Sequence, residues 1–114
     1  MNPIYKILSR QAWRDAQAAG VFRGAPVDIA DGYIHFSTAA TVAETAAKHF
    51  AGQTDLMLVA VDADRLGVAL KWEVSRGGAL FPHLYAPLDV AAVADARALS
   101  VGPDGRHDFT GLLP

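Results

Sequence analysis

Cysteine is absent from the 114 residues. That excludes a disulfide framework, a thiol nucleophile and any zinc or iron–sulfur centre held by thiolates. Charge is sparse and nearly balanced: ten Lys and Arg against twelve Asp and Glu leave a net charge of −2. Such a chain makes no basic field for duplex nucleic acid, so a bulk nucleic-acid partner is not expected, while a small basic pocket stays compatible. Long apolar runs are also missing. The longest, Leu56 to Val61, is far too short to cross a bilayer, and the start from Met1 to Lys6 lacks the apolar stretch of a signal peptide. No glycine-rich phosphate loop, Gly-x-Ser-x-Gly elbow, His-x-His pair or His-Glu-x-x-His motif occurs. A cytoplasmic protein with no membrane partner and no metal is therefore expected.

What is present is apolar bulk, 52% of the chain. Alanine supplies 22 of these positions and leaves 37 larger apolar side chains, enough for one core and hence one domain over residues 1–114. Ile4 to Leu8 reads as a first strand. Ser9 offers an N-cap to a helix over Gln11 to Ala19, with Trp13 as its anchor and Gly20 at its end. Val21 to Ala30 keeps no period, and Gly24 with Pro26 predicts a loop or irregular extended segment. Tyr33 to Phe36 is a short strand. A second helix follows from the Ser37–Thr41 hydroxyls to about His49, with Val42, Ala46 and Phe50 on its buried stripe.

Asp55 to Asp62 is apolar on both faces and reads as a central strand. Ala69 to Val74 alternates, which predicts a half-buried strand with Leu70, Trp72 and Val74 facing one way and Lys71 and Glu73 the other. Leu80 to Pro87 carries two prolines and reads as an ordered loop. Over Leu88 to Val101 alanine content argues helix, while the two-residue spacing of Val93, Asp95, Arg97 and Leu99 argues strand, and strand is the expectation. The order of elements implies an α+β domain with its two helices near the N-terminal half.

Histidine is the natural place to look for chemistry, since it titrates near neutral pH. His35 and Ser37, two apart on a strand, share a face and together can line a pocket. The same pattern also describes a half-buried histidine beside a capping serine. His83 sits in Phe81-Pro82-His83-Leu84-Tyr85, where proline would display an imidazole and a phenol with little freedom left to lose. The alternative there is a loop whose rings plug the core. Glu73, beside Trp72, is the candidate acid, with a solvated partner of Lys71 or Arg76 as the plain reading. His49 at a helix end suits the macrodipole, and His107 reads as a surface residue.

These blocks fall in a familiar order. Ile4-Tyr5-Lys6-Ile7 with Trp13, then Asp31-Gly32-Tyr33-Ile34-His35-Phe36-Ser37-Thr38, Leu70-Lys71-Trp72-Glu73 and Phe81 to Tyr85 resemble a family of small bacterial proteins catalogued as a domain of unknown function, number 952. That family is similar to a compact ADP-ribosyltransferase fold: split, antiparallel-rich sheets around a cleft that holds NAD in relatives. The strand with His35 and Ser37 is similar to the His-Val-His-Leu-Ser segment of RNA 2′-phosphotransferases.

The resemblance implies His35 and Glu73 as catalytic residues, with Glu73 at the nicotinamide ribose. Lys6, Ser37, His83 and Tyr85 would bind substrate, and NAD would be a substrate rather than a resident cofactor. The function implied is ADP-ribosyl transfer or NAD glycohydrolysis. The alternatives are a non-catalytic domain that binds a nucleotide or small metabolite, and a protein-interaction module using Phe81 to Tyr85. Lys6 departs from the wider superfamily, where histidine often follows the first-strand tyrosine. An ammonium can bind phosphate but cannot act as a neutral imidazole does.

Overall fold

The computed structural model describes residues 1–114, the side chain of Arg76 excepted. The chain is α+β, with antiparallel sheets curled into a half-barrel and three helices. β1 (Pro3–Ser9) leads directly into α1 (Arg10–Ala19). The Ser9 hydroxyl accepts from the Ala12 N–H at 3.0 Å, and Gly20 closes the helix at φ 79°, a left-handed conformation that glycine adopts without a Cβ penalty. β2 (Val21–Phe22) and α2 (Pro26–Asp31) follow.

The segment expected to be irregular thus contains a helix. Its signals are too short for a period: Pro26 at the first helical position and Asp28 accepting from the Ala25 N–H at 2.7 Å. Gly24, at φ 117°, brings the chain so close that a Cβ there would lie 2.9 Å from the Asp28 Cβ.

β3 is only Ile34–His35, and α3 spans Val42–His49, with Val42 and Ala46 buried. Thr41 sits at its N-cap, and the Ser37 hydroxyl instead meets that of Thr45 at 2.8 Å. β4 (Leu56–Asp62) pairs antiparallel with β1 on one side and β8 (Val93–Val101) on the other, the central position its apolar sequence implied. β9 (His107–Asp108) completes the order β1-β4-β8-β9. The strand expected from Leu88 begins as the pair β7 (Leu88–Asp89), which joins β2, and passes through a 3-10 turn at Val90–Ala92 before β8.

Alternation along β1 and β4 divides the apolar residues between two clusters rather than one. Ile4, Leu8, Met57, Val59 and Val61 pack with Trp13 and Ala16 of α1. Tyr5, Ile7, Leu56, Leu58 and Leu99 pack with Val42 and Ala46 of α3. The first sheet is covered on both faces.

The third sheet has the order β3-β6-β5, built from β5 (Leu70–Val74) and β6 (Leu80–Leu84). The expected proline-rich loop is therefore a central strand. Proline is tolerated because the Phe36 N–H donates to the Pro82 carbonyl at 3.0 Å, while Pro82 has no N–H to return. The ladder stops there. The chain swings from β6 to β1, where Tyr5 and Ser37 exchange two backbone bonds of 2.8 Å. This bridge ties the two larger sheets together at the point where they diverge.

The apolar face of β5 is covered only at its start, where Leu70 packs against the core beside Leu84. Trp72 and Val74, further along the same face, are exposed at 43% and 69%, while Glu73 on the other face is half-buried. The opposite face, carrying Lys71 and Glu73, is the one that meets the site.

Candidate functional site

Register makes the site. β3 and β6 place His35 directly opposite His83, and β5 and β6 place His83 opposite Lys71 and Phe81 opposite Glu73. Alternate residues share a face, so His35, His83, Tyr85, Lys71 and Glu73 all project to one side, with Tyr33 two residues before His35. The rings touch. Tyr33 stacks on Tyr85 with centroids 5.1 Å apart at 11°, and meets His83 edge-on at 4.2 Å. His35 and His83 are 5.5 Å apart, centroid to centroid, in a T arrangement.

Each imidazole is backed by a carboxylate. The His83 Nδ1 lies 2.9 Å from the Glu73 Oε1, which also accepts from the Tyr85 hydroxyl at 2.6 Å. These two bonds hold the Glu73 carboxyl below the usual carboxylate range. The bond to Glu73 in turn raises the Tyr85 phenol to about 12. Lys71 stands 5.1 Å over the Tyr85 ring. Burial, with Asp31 and Glu73 nearby, likewise raises the Tyr33 phenol.

His35 has both ring nitrogens engaged: Nδ1 with Asp28 at 2.7 Å and Nε2 with Asp31 at 3.0 Å. Asp28 is the buried hub. It takes the Lys6 ammonium at 2.9 and 3.0 Å and accepts from the backbone N–H of Ala25 and of His35. Burial pushes the Asp28 carboxyl up, but Lys6, His35 and the Ala25 N–H outweigh it and leave it below its ordinary value. Burial outweighs Asp28 at Lys6, whose ammonium is held below its ordinary value.

A cleft of about 590 Å³ opens where the two larger sheets diverge, between α2 and the end of α3. Its walls are apolar side chains such as Tyr5, Ile7, Phe36 and Phe50, with polar groups from Lys6, Asp31, His35, Ser37, Thr45, His49 and His83. That volume and mixture are those of small-molecule sites. Among the described residues no group of three His, Asp or Glu side chains forms a metal site, and no helix is long and apolar enough to cross a membrane.

The family profile described as "Protein of unknown function (DUF952)" matches residues 7–96. The chain belongs to this family. Three solved structures, all of protein CC0527 from Caulobacter crescentus, resemble it closely. The crystal structure is 53% identical over 95% of each chain, with a TM-score of 0.91. The crystal structure of its double mutant, 51% identical over 95% of each chain, also gives 0.91. The solution structure gives 0.89 at 52% identity over 99% of this chain and 97% of that one. No curated protein matches the chain.

Of the residues singled out in this DUF952 chain, Lys6, His35, Ser37 and His83 line the cleft. Glu73 and Tyr85 are joined to them but stand behind His83 and do not line it. The suggested pairing of Glu73 with Arg76 lies outside the described residues. Phe81 is buried at 7% exposure, so the Phe81–Tyr85 segment cannot present its rings together as a docking loop; Tyr85 alone is exposed. His49 reaches the cleft wall in addition to ending α3. His107 is half-buried, with its Nε2 2.8 Å from the Gln53 carbonyl oxygen, which fastens the tail.

Sequence reasoning missed Asp28 and gave Tyr33 no role beyond its place in the strand. Asp28 was detectable in principle: an acid two residues after a helix-starting proline is at the capping position, and such a residue is held near the site it caps.

Proposed function

We propose that the cleft binds a dinucleotide of the NAD type and that the chain transfers or hydrolyses its ADP-ribosyl group. The observation that carries this reading is the cleft at the divergence of two antiparallel sheets, where His35 and His83, each carboxylate-backed, face one another across paired strands. The likeness of the Tyr33 to Ser37 strand to segments of the ADP-ribosyltransferase superfamily supports the same choice.

In this reading His35 and Ser37 contact ribose or phosphate, with Lys6 and Asp28 holding the His35 ring in place. Asp31 is the carboxylate that lines the cleft and can stabilise positive charge on the ribose as nicotinamide leaves. Glu73 and Tyr85 act from behind His83 rather than by touching the ligand. Apolar walls exclude water and strengthen each of these interactions. Calorimetric titration with NAD and chromatography of released nicotinamide test the proposal together. Heat of binding with nicotinamide release is expected; no binding at millimolar NAD overturns it.

A second reading, non-catalytic binding of a nucleotide or small anionic metabolite, is favoured by one feature. Both His35 nitrogens are committed to carboxylates, which suits a fixed donor better than a proton carrier. It predicts a ligand-induced rise in Tm with no turnover, and ligand binding that survives Glu73→Ala.

A further inference from the structure

His83 is 4% exposed, lines the cleft, and has one ring nitrogen without a hydrogen-bond partner among the described residues. An unpartnered nitrogen on a buried side chain that lines a cleft calls for an explanation, since nearly all buried polar atoms are paired. Its Nδ1 is fixed by Glu73, which Tyr85 holds in turn. A carboxylate at Nδ1 sets the proton there and leaves Nε2 as the basic lone pair, the arrangement in which an imidazole accepts a proton. Both ring nitrogens of His35, by contrast, are already engaged by Asp28 and Asp31. The charged and titratable groups facing His83 are Tyr33 and His35 from the β3 side and Lys71 and Glu73 from β5, with Tyr85 following it on β6.

We propose that His83 is the proton acceptor for the attacking nucleophile, a water or hydroxyl group, and that Glu73 is its positioning residue through a fixed tautomer. The step rests on the NAD reading above and balances simply. The bond between the ribose carbon and the nicotinamide nitrogen breaks, and its electron pair leaves with neutral nicotinamide. A new carbon–oxygen bond forms to the nucleophile, and the nucleophile's proton passes to Nε2 of His83. No oxidant or reductant is required.

Two measurements decide the matter. Imidazole nitrogen NMR of the unmodified protein is expected to show the neutral His83 ring protonated at Nδ1 and bare at Nε2; a neutral ring with its proton on Nε2 overturns the proposal whether or not any variant folds. In NAD hydrolysis, His83→Gln is expected to lower kcat by about 100-fold or more with a smaller change in KM. Glu73→Gln is expected to lower kcat less and to displace the pH profile. A folded His83→Gln protein with unchanged kcat overturns the proposal while leaving the NAD reading in place. Failure of the wild-type chain to release nicotinamide overturns both.

Discussion

Replacing Asp28 with asparagine tests the centre of the structure. The substitution keeps the shape and removes the charge that faces Lys6 at 2.9 Å, with both side chains at or below 9% exposure. Removing one partner from a buried ion pair costs about 3–5 kcal/mol, because the remaining charge is left without compensation. Asparagine keeps one accepting oxygen, so of the bonds from Ala25 and His35 at least one is lost, a further ~1 kcal/mol. Lys6 can escape by shedding its proton, since burial already favours the neutral amine, and that caps the sum at about 3–5 kcal/mol.

For a chain of this size the loss corresponds to a fall in Tm of about 12–20 °C. Urea and thermal unfolding followed by circular dichroism at neutral pH measure it. The double variant Lys6→Met/Asp28→Asn should be at least about 2 kcal/mol more stable than the two single losses added together. A loss below about 1 kcal/mol for Asp28→Asn, or simple additivity in the double variant, would refute the view that this pair is desolvated and mutually dependent.

Acid should unfold the protein through the same groups. Asp28 and Glu73 are held below their ordinary values of 3.8 and 4.5, so their contribution is complete above those values and is lost as pH falls through the lower folded ones. Stability measured against pH should therefore fall less steeply below pH 4 in Asp28→Asn than in the wild type. On the alkaline side Tyr85 is raised from 10 to about 12, so the folded state binds more protons in that interval and stability declines as pH rises through it. Tyr85→Phe should remove the latest-titrating tyrosinate from the ultraviolet absorbance curve; an unchanged curve would contradict the bond to Glu73. Ser9→Ala should cost about 1 kcal/mol in urea unfolding through loss of the α1 cap, and no measurable change would mean that water replaces it.

Much of the backbone was legible locally because its signals are local. Ser9 and Gly20 bracket α1 within one helix length, and the unbroken apolar run of β4 announces a strand covered on both faces. The shared face of His35 and Ser37 follows from alternation alone, as does that of Lys71 and Glu73. What these faces meet was not legible. Leu70, Trp72 and Val74 share one face, yet only Leu70 reaches the core, and Trp72 and Val74 extend past it into solvent. Pro82 argues against a central strand by itself. It is accommodated because β3 leaves the ladder at Phe36, fewer than fifty residues earlier in the chain.

The sequence alone determined the composition class, most helix and strand positions, and which side chains were chemically able to act. Only tertiary structure decided that His35 pairs with Asp28 and Asp31, that His83 pairs with Glu73, and that Glu73 stands behind the cleft rather than in it. The reason is range. Capping and alternation act over a few residues, whereas strand register joins segments tens of residues apart, and a hydrogen bond between them exists only once both have found their places.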